Sequence, residues 1–260
     1  MARHHFDDGL DRSDLPVTGL AADYRSGEAT CRHSHLNAQL IYAVEGVMVV
    51  NSPEGRWIVP PTRAIWMPGG TEHWNRMVGG VRMRTVFIRP DAAPGLPRDC
   101  SVIGVSPLLR ELIVAAVAVP LPYSAESRDG RLMRLLLDEI TQMDVLPLHL
   151  PTPRDGRLAR LCDGLLAAPD DTTPLGDWAR RLGVTEKTLQ RLFRRDTGMT
   201  FGEWRQQARL LEGLEQLATG SKIVDVALNL GYSSPSAFAT MFKRQFGVPP
   251  SAYFADAAGG

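Results

Sequence analysis

The feature that most constrains this chain is a unit that occurs twice in its C-terminal half. The stretch WARRLGVTEKTLQRLFRRDTG aligns with VALNLGYSSPSAFATMFKRQFG, first at an offset of 48 residues and then, after one inserted residue, at 49. The turn glycines Gly183 and Gly231 match, and so do the closing glycines Gly198 and Gly247. Any fold of this chain must therefore hold two copies of one small unit.

Each copy predicts two short helices joined by a tight turn. In the first copy, Pro174 suits the first position of a helix that ends at Gly183, where a residue without Cβ can take a positive φ. Thr185 then caps a second helix. In the second copy Gly231 ends the first helix and Ser234 caps the second. Two helices joined by a short turn that contains glycine form a helix-turn-helix.

The second copy carries a family signature. The stretch SKIVDVALNLGYSSPSAFATMFKRQFGVPPSAY closely resembles the signature of the AraC/XylS family of bacterial transcription regulators, and the resemblance covers both units. It implies that the chain binds specific double-stranded DNA in two successive major grooves, with outward residues of the two second helices contacting bases. By position these base-contacting residues are Lys187, Thr188, Gln190 and Arg191 in the first copy, and Pro235, Ser236, Ala239 and Thr240 in the second. The second set lacks long hydrogen-bond donors, so weaker or apolar contacts are expected there.

Basic residues close the second helix of each copy. We interpret them as phosphate contacts, which set register and salt dependence. These residues are Arg194, Arg195, Lys243 and Arg244. The net charge of the chain is zero, but residues 152–250 carry 14 Lys and Arg against 11 Asp and Glu. This mild excess gives modest support to a DNA-facing C-terminal half.

The N-terminal half has the patterning of β-strands. Short apolar runs are separated by turn formers such as NSPEG and PGGTE, and the glycine pair at 79–80 leads into the alternating stretch VRMRTVFIR. Many short strands at such spacing predict an antiparallel sandwich or barrel. After Pro107, apolar residues recur at helical spacing in PLLRELIVAAVA and DGRLMRLLLDEIT, which predicts two helices.

One stretch of this β region, CRHSHLNAQL, concentrates potential metal ligands. His33 and His35 are two residues apart, so in a strand both side chains project to the same face. His73, on a neighbouring strand, can meet them, and Gln39 follows shortly after. Three imidazoles and an amide oxygen suit Zn, Ni, Co, Cu or Fe, so one divalent transition metal is a candidate cofactor. The same side chains could instead line a pocket for an organic effector.

The spacing around these histidines resembles the two cupin motifs. GEATCRHSHLNAQLIYAVEG fits the first motif, with Gln39 where an acid should stand, and PGGTEH fits the core of the second. The resemblance implies a cupin-like effector-sensing barrel, as in AraC-type regulators that carry such a domain before the DNA-binding part. A glutamine removes the carboxylate that a cupin oxygenase would often use. No catalytic residue is therefore assigned, and the chain is not expected to be an enzyme.

The predicted fold class is α+β with several domains, an N-terminal cupin-like β-barrel and an all-α C-terminal domain with two helix-turn-helix units. The predicted segments are an irregular lead-in (1–19), an effector-sensing barrel (20–100), a helical bracing or dimerisation segment (101–145), a proline-rich linker (146–153) and the AraC-type double helix-turn-helix DNA-binding domain (154–255).

The predicted function is regulation of bacterial transcription through specific DNA, controlled by a small molecule or metal in the barrel. RNA polymerase and a second copy of the chain are further candidate partners, and no membrane contact is expected. Three scattered cysteines fit a reducing cytoplasm. Two alternatives stay open. One is a metal-dependent cupin enzyme with a helical interaction module, and the other is a DNA-binding protein whose barrel serves only to dimerise.

Overall fold

The computed structural model describes residues 9–92, 94–141, 145–146 and 148–253. Each predicted segment therefore has some residues outside the described part of the chain: 1–8, 93, 142–144, 147 and 254–255. The chain divides into two compact units. The first unit holds the residues up to Pro53 and Trp57–His149, and the second holds Glu54–Arg56 and the residues from Leu150 onward.

The first unit is built on an antiparallel β-sheet. The strands of the chain are β1 (Val17–Tyr24), β2 (Ala38–Ser52), β3 (Gly55–Val59), β4 (Arg63–Met67), β5 (Trp74–Ile88), β6 (Ser101–Gly104), β7 (Val145–Leu146) and β8 (His149–Pro151). The first two residues of β3 and the last two of β8 belong to the second unit. The strand order across the sheet is β1-β5-β2-β4-β6-β7, while β3 pairs with β2 and β8 with β3. This β-rich unit and the helical unit that follows it confirm the predicted α+β class.

Two long strands stand where the sequence predicted only short ones. Strands β2 and β5 each run for 15 residues and pair along most of their length. Gly46 has a φ of +79°, register shifts flank it, and a Cβ there would lie 2.3 Å from the carbonyl oxygen of Gly80. The prediction of short strands was wrong at this place because glycine also marks a bulge or a close backbone approach inside a strand.

Two helices cover one face of the sheet. Helix α1 (Pro107–Ala116) and helix α2 (Arg128–Thr141) confirm the predicted helical segments. Leu40 of β2 belongs to the same buried cluster as Ile113 of α1 and Leu136 of α2. Because side chains alternate along a strand, Gln39 points to the opposite face of the sheet. One face of β2 therefore packs against the two helices, and the other face lies on the side of the histidines.

The sheet also extends beyond the range predicted from sequence. Strand β6 pairs with β4 inside the segment predicted to be helical, and β8 lies inside the predicted proline-rich linker. Proline is compatible with the ends and edges of sheets, and Pro151 is the last residue of β8. Proline content alone therefore could not distinguish a linker from a short strand at the edge of the sheet.

The second unit is mainly helical. Its helices are α3 (Gly156–Ala167), α4 (Leu175–Arg181), α5 (Glu186–Thr197), α6 (Phe201–Ala218), α7 (Ile223–Asn229), α8 (Pro235–Phe246) and α9 (Pro250–Tyr253). Helices α4 and α5 form one helix-turn-helix, and α7 and α8 form the other. Helix α6 joins them and begins with a capping box, in which Thr200 and Glu203 satisfy each other's backbone N–H groups.

The repeated unit is visible as the same core built twice. The ring of Phe193 lies 6.4 Å from that of Trp204, and the ring of Phe242 lies 5.3 Å from that of Tyr253 at the matching positions. These four side chains are buried. The two predicted helix-turn-helix units are therefore confirmed. Among the described residues, no helix combines the length and the apolar character that crossing a bilayer requires.

Candidate DNA interface and histidine site

Helix α5 presents a polar outer face because its inner face is buried. The hydroxyl of Thr185 accepts the backbone N–H of Thr188 at 3.2 Å and starts the helix. Leu189 and Phe193 then face the core. The predicted base contacts Lys187, Gln190 and Arg191 are exposed, and Thr188 is half-buried. The exposed face of α5 thus carries two cations and one amide, which are long hydrogen-bond donors.

Helix α8 presents a smaller and less polar face. The hydroxyl of Ser234 accepts the backbone N–H of Ala237 at 3.1 Å, which confirms the predicted cap, and Pro235 is the first helical residue. The predicted base contacts Ser236 and Thr240 are exposed, whereas Pro235 and Ala239 are half-buried. This face offers two hydroxyls and small apolar groups.

The four predicted phosphate contacts are all exposed in the last turns of α5 and α8. The matched pair Arg195 and Arg244 differs, however. Arg195 Nε donates to Asp196 Oδ1 at 2.7 Å, whereas Arg244 forms no ion pair with any residue that the structure describes. Arg194 also has an acid nearby, 3.7 Å away at Glu203. The two copies therefore hold their terminal cations in different electrostatic surroundings.

Asp196 explains the difference between the two copies. Its side chain is 4% exposed, and its Oδ2 accepts the backbone N–H of Asp155 at 2.8 Å, just before α3 begins. The hydrogen bond from Arg195 holds the pKa of Asp196 below its usual range, with further help from the Asp155 amide. The sequence contained a signal for this, because the matching position in the second copy is the uncharged Gln245.

In the first unit, the structure brings the three predicted histidines together. His33 and His73 form a backbone bridge, and their ring centroids lie 4.3 Å apart. The ring of His35 lies 4.9 Å from that of His33 and 5.5 Å from that of His73. One ligand atom from each of the three rings lies within 4.8 Å of the others. His35 and His73 are buried, and His33 is half-buried.

Backbone carbonyl oxygens determine which ring nitrogen carries the proton in two of these histidines. His33 Nδ1 lies 2.7 Å from the carbonyl oxygen of Cys31, and His73 Nδ1 lies 3.0 Å from that of Thr71. A carbonyl oxygen can only accept, so both Nδ1 atoms carry a proton and the neutral rings keep their lone pair on Nε2. A neutral imidazole whose one N–H is held by an acceptor, with the other nitrogen facing the metal, is the usual form of a metal ligand.

The side chain of Gln39 points to the side of the sheet on which the three histidines lie, but no contact among the described residues joins it to them. It pairs in register with Phe87, whose ring is 4.9 Å from that of His35. Gln39 Oε1 is buried and accepts no hydrogen bond from any described residue. An amide oxygen of this kind is available to a ligand on the histidine side of the sheet.

Sequence reasoning missed one acidic residue beside this cluster. Asp11 Oδ2 lies 3.8 Å from His35 Nδ1, and both side chains are largely buried. Asp11 belongs to the aperiodic segment before β1, where no pattern marks a residue as functional. Only its contacts in the folded chain identify it.

A separate cavity of about 250 Å³ opens on the other face of the same strands. It is lined by Ala38, Trp66, Pro68, Gly69, Ile88, Arg89, Pro90, Leu96, Pro97 and Arg98. Ala38 and Ile88 alternate with Gln39 and Phe87, so the sheet separates this cavity from the histidines.

Two tandem helix-turn-helix units with capped, exposed second helices define a DNA-binding transcription regulator. Residues 178–256 match the family model described as a helix-turn-helix domain, and residues 15–172 match that of the AraC-like ligand binding domain. The chain belongs to the AraC family of transcription regulators, and it combines an effector-binding domain with a helix-turn-helix DNA-binding domain.

The chain is similar to several known proteins. The chain is 36% identical over 223 residues to the HTH-type transcriptional regulator NimR of Escherichia coli K12, across 86% of this chain and 81% of NimR. It is 41% identical over 76 residues to regulatory protein SoxS of the same strain, across 29% of this chain and 71% of SoxS. The crystal structure of ToxT from Vibrio cholerae O395 aligns with 94% of this chain and 99% of ToxT, with 13% identity and a TM-score of 0.40.

Proposed function

We propose that α5 and α8 enter two successive major grooves of one DNA site, with α5 providing most of the base discrimination. The difference between the two exposed faces supports this. Arg191, Gln190 and Lys187 have the reach and the donors for bidentate contacts to base edges. Ser236, Ala239 and Thr240 are limited to short hydroxyl contacts and methyl packing. Terminal cations of both helices contact phosphates and fix the register.

Selection of binding sites from a random duplex library tests this division. The full chain should enrich a site with two conserved blocks about one helical turn apart, and one block should tolerate substitutions better. A library selected with an Arg191→Ala variant should lose the preference in the stricter block alone. Equal relaxation of both blocks, or no enrichment by the wild type, would contradict the proposal.

We further propose that a divalent transition metal binds at His33, His35 and His73. The convergence of three imidazoles, two of them with Nδ1 bonded to carbonyls, carries this proposal. The donor set fits Zn²⁺, Ni²⁺, Co²⁺, Cu²⁺ or Fe²⁺ by ligand type. The metal would serve as effector or as an anchor for one, and it must favour one arrangement of the chain over another to alter DNA binding.

Metal content measured by mass spectrometry on untagged protein tests this site. A near-stoichiometric transition metal in the wild type, lost in a His33→Ala/His73→Ala double variant, is the expected result. Absence of metal from protein purified without chelator and then exposed to each candidate ion would contradict it. The histidines would then form the wall of an organic-effector pocket.

The remaining partners follow from this role. We propose that the chain acts in the bacterial cytoplasm, where its DNA target lies, and that it is a regulator without catalytic activity. The uncharged Gln39 supports the last point, because it stands where a cupin oxygenase would often carry a carboxylate. RNA polymerase and a second copy of the chain are the further partners that a promoter-bound regulator of this design would contact.

A further inference from the structure

The segment before β1 is held on the first unit at several separate points. The hydroxyl of Thr18 donates to the carbonyl oxygen of Leu10 at 3.1 Å. Arg89 donates through its side chain to the carbonyl oxygen of Asp14, and its backbone N–H donates to that of Pro16 at 3.0 Å. This segment therefore has a defined place on the sheet although its sequence shows no periodicity.

Asp11 is the residue through which this segment meets the histidine site. Its Oδ2 accepts the backbone N–H of Leu36 at 2.8 Å, and its Oδ1 accepts that of Asn37 at 2.9 Å. The Asn37 side-chain amide returns a bond to the Asp11 carbonyl oxygen at 3.0 Å. The same carboxylate lies 3.8 Å from Nδ1 of His35, with the two side chains 13% and 6% exposed.

Each of the three rings has an oxygen near Nδ1, at hydrogen-bond distance for His33 and His73 and at the longer ion-pair distance of 3.8 Å for His35. Carbonyl oxygens face Nδ1 of His33 and His73, and a carboxylate faces Nδ1 of His35. A negative group at Nδ1 favours the tautomer with its proton there and leaves the Nε2 lone pair for a ligand. Carboxylates in this position orient a metal-binding histidine and raise the basicity of its other nitrogen.

We propose that Asp11 is a positioning residue for a metal bound at the three histidines, and that it couples metal occupancy to docking of residues 9–16 on the sheet. The proposal rests on the metal site proposed above. A bound cation polarises the His35 ring and strengthens its attraction to the Asp11 carboxylate. By reciprocity, docking of the segment raises metal affinity by the same factor as the metal stabilises docking.

Co²⁺ titration of the full chain, followed by visible absorption, tests the first half of the proposal. Asp11→Asn should weaken Co²⁺ binding about 10–100-fold and alter the absorption spectrum of the saturated protein. Asn37→Ala is the matched control, because it removes one bond between the segment and the sheet without touching His35. It should leave affinity and spectrum close to the wild type. Equal weakening by both variants would mean that Asp11 acts only as a loop anchor, which overturns the proposal.

Hydrogen exchange tests the second half, with the wild-type protein as the main readout and the metal-site double variant as control. The backbone N–H groups of Leu36 and Asn37 donate to Asp11, so their protection reports docking of the segment. Co²⁺ should slow their exchange in the wild type and leave it unchanged in His33→Ala/His73→Ala. Unchanged exchange in a wild type that binds Co²⁺ would refute the coupling alone, whereas a wild type that binds no Co²⁺ would refute the metal site itself.

Discussion

The main chains of His33 and His73 bond to each other in both directions, with N···O distances of 3.0 and 2.8 Å. This bridge lies outside the named strands and sets the two rings 4.3 Å apart. Backbone pairing therefore brings two of the three imidazoles together. Such preorganisation is what a tight ligand site requires of its supporting residues.

Removal of one imidazole should abolish tight metal binding. We expect His73→Ala to weaken Co²⁺ or Zn²⁺ binding by more than the roughly 10–100-fold typical of outer-shell changes, because a direct ligand is lost. Competition with a chromophoric chelator measures this. Cys31→Ser is the control, because the exposed Cys31 offers its carbonyl oxygen to His33 and its thiol is not among the converging atoms. A loss of affinity in Cys31→Ser would show that the thiol is a ligand and that the proposed site is incomplete.

Base discrimination should depend on Arg191 more than on any residue of α8. Arg191→Ala should cost about 1–3 kcal/mol on the selected site and relax preference at the contacted position. Thr240→Ala, on the exposed face of α8, should cost less because a hydroxyl makes weaker contacts to base edges. Binding titrations on the selected duplex and on a scrambled duplex measure both effects. An equal loss on the two duplexes would show that Arg191 contacts phosphate.

Arg244 should contribute more to non-specific DNA affinity than Arg195. Asp196 competes with phosphate for Arg195, whereas Arg244 meets no acid among the described residues. Arg244→Ala should lower the slope of log K against log salt by about one, and Arg195→Ala by less. DNA affinities at several salt concentrations give both slopes. Identical slope changes would mean that Asp196 releases Arg195 when DNA binds.

Asp196 should stabilise the second unit in a pH-dependent way. Its pKa is lowered in the folded chain by the Arg195 hydrogen bond, so its contribution is present above the pKa of an unfolded aspartate. That contribution is lost as the pH falls through the folded value. Urea unfolding should therefore show that Asp196→Asn is less stable than the wild type at pH 7, with a difference that shrinks on acidification.

Asp163→Asn is the control for this series, because Asp163 is exposed on α3 and forms no ion pair among the described residues. Its stability should follow that of the wild type across the same pH range. A difference between Asp196→Asn and the wild type that grows toward low pH would contradict the assigned sign.

Local chemistry made the helical unit predictable. Thr185 and Ser234 predict the starts of their helices because a short hydroxyl side chain at that position accepts a hydrogen bond from a backbone N–H of the first turn. The glycines at 183 and 231 predict turns because they can adopt a positive φ without steric cost. The pairing of His33 and His35 was predicted on a wrong premise, because both residues precede β2 and His33 lies in an isolated bridge with His73 instead of a strand.

Features that depend on distant parts of the chain were not predictable. Position 46 requires glycine inside a strand because the carbonyl oxygen of Gly80, on another strand, leaves no room for a Cβ. No local sequence pattern records this approach. The same holds for Asp11, whose partners are 25 and 26 residues away, and for the hydrogen bond between Asp196 and the Asp155 amide, which spans 41 residues. Sequence patterns describe residues within one secondary-structure element. These contacts join residues of two different segments, so no such pattern predicts them.

Occupancy of the histidine site should change the affinity of the tandem helix-turn-helix units for DNA. The direct measurement is the Kd of the full chain for its selected duplex, with Zn²⁺ and with EDTA, for the wild type and for His35→Ala/His73→Ala. We expect the wild-type Kd to change by about 5–150-fold between the two conditions, the usual range of coupling between two sites. The variant should give one value in both. A wild-type Kd that is the same with Zn²⁺ and with EDTA would contradict the account.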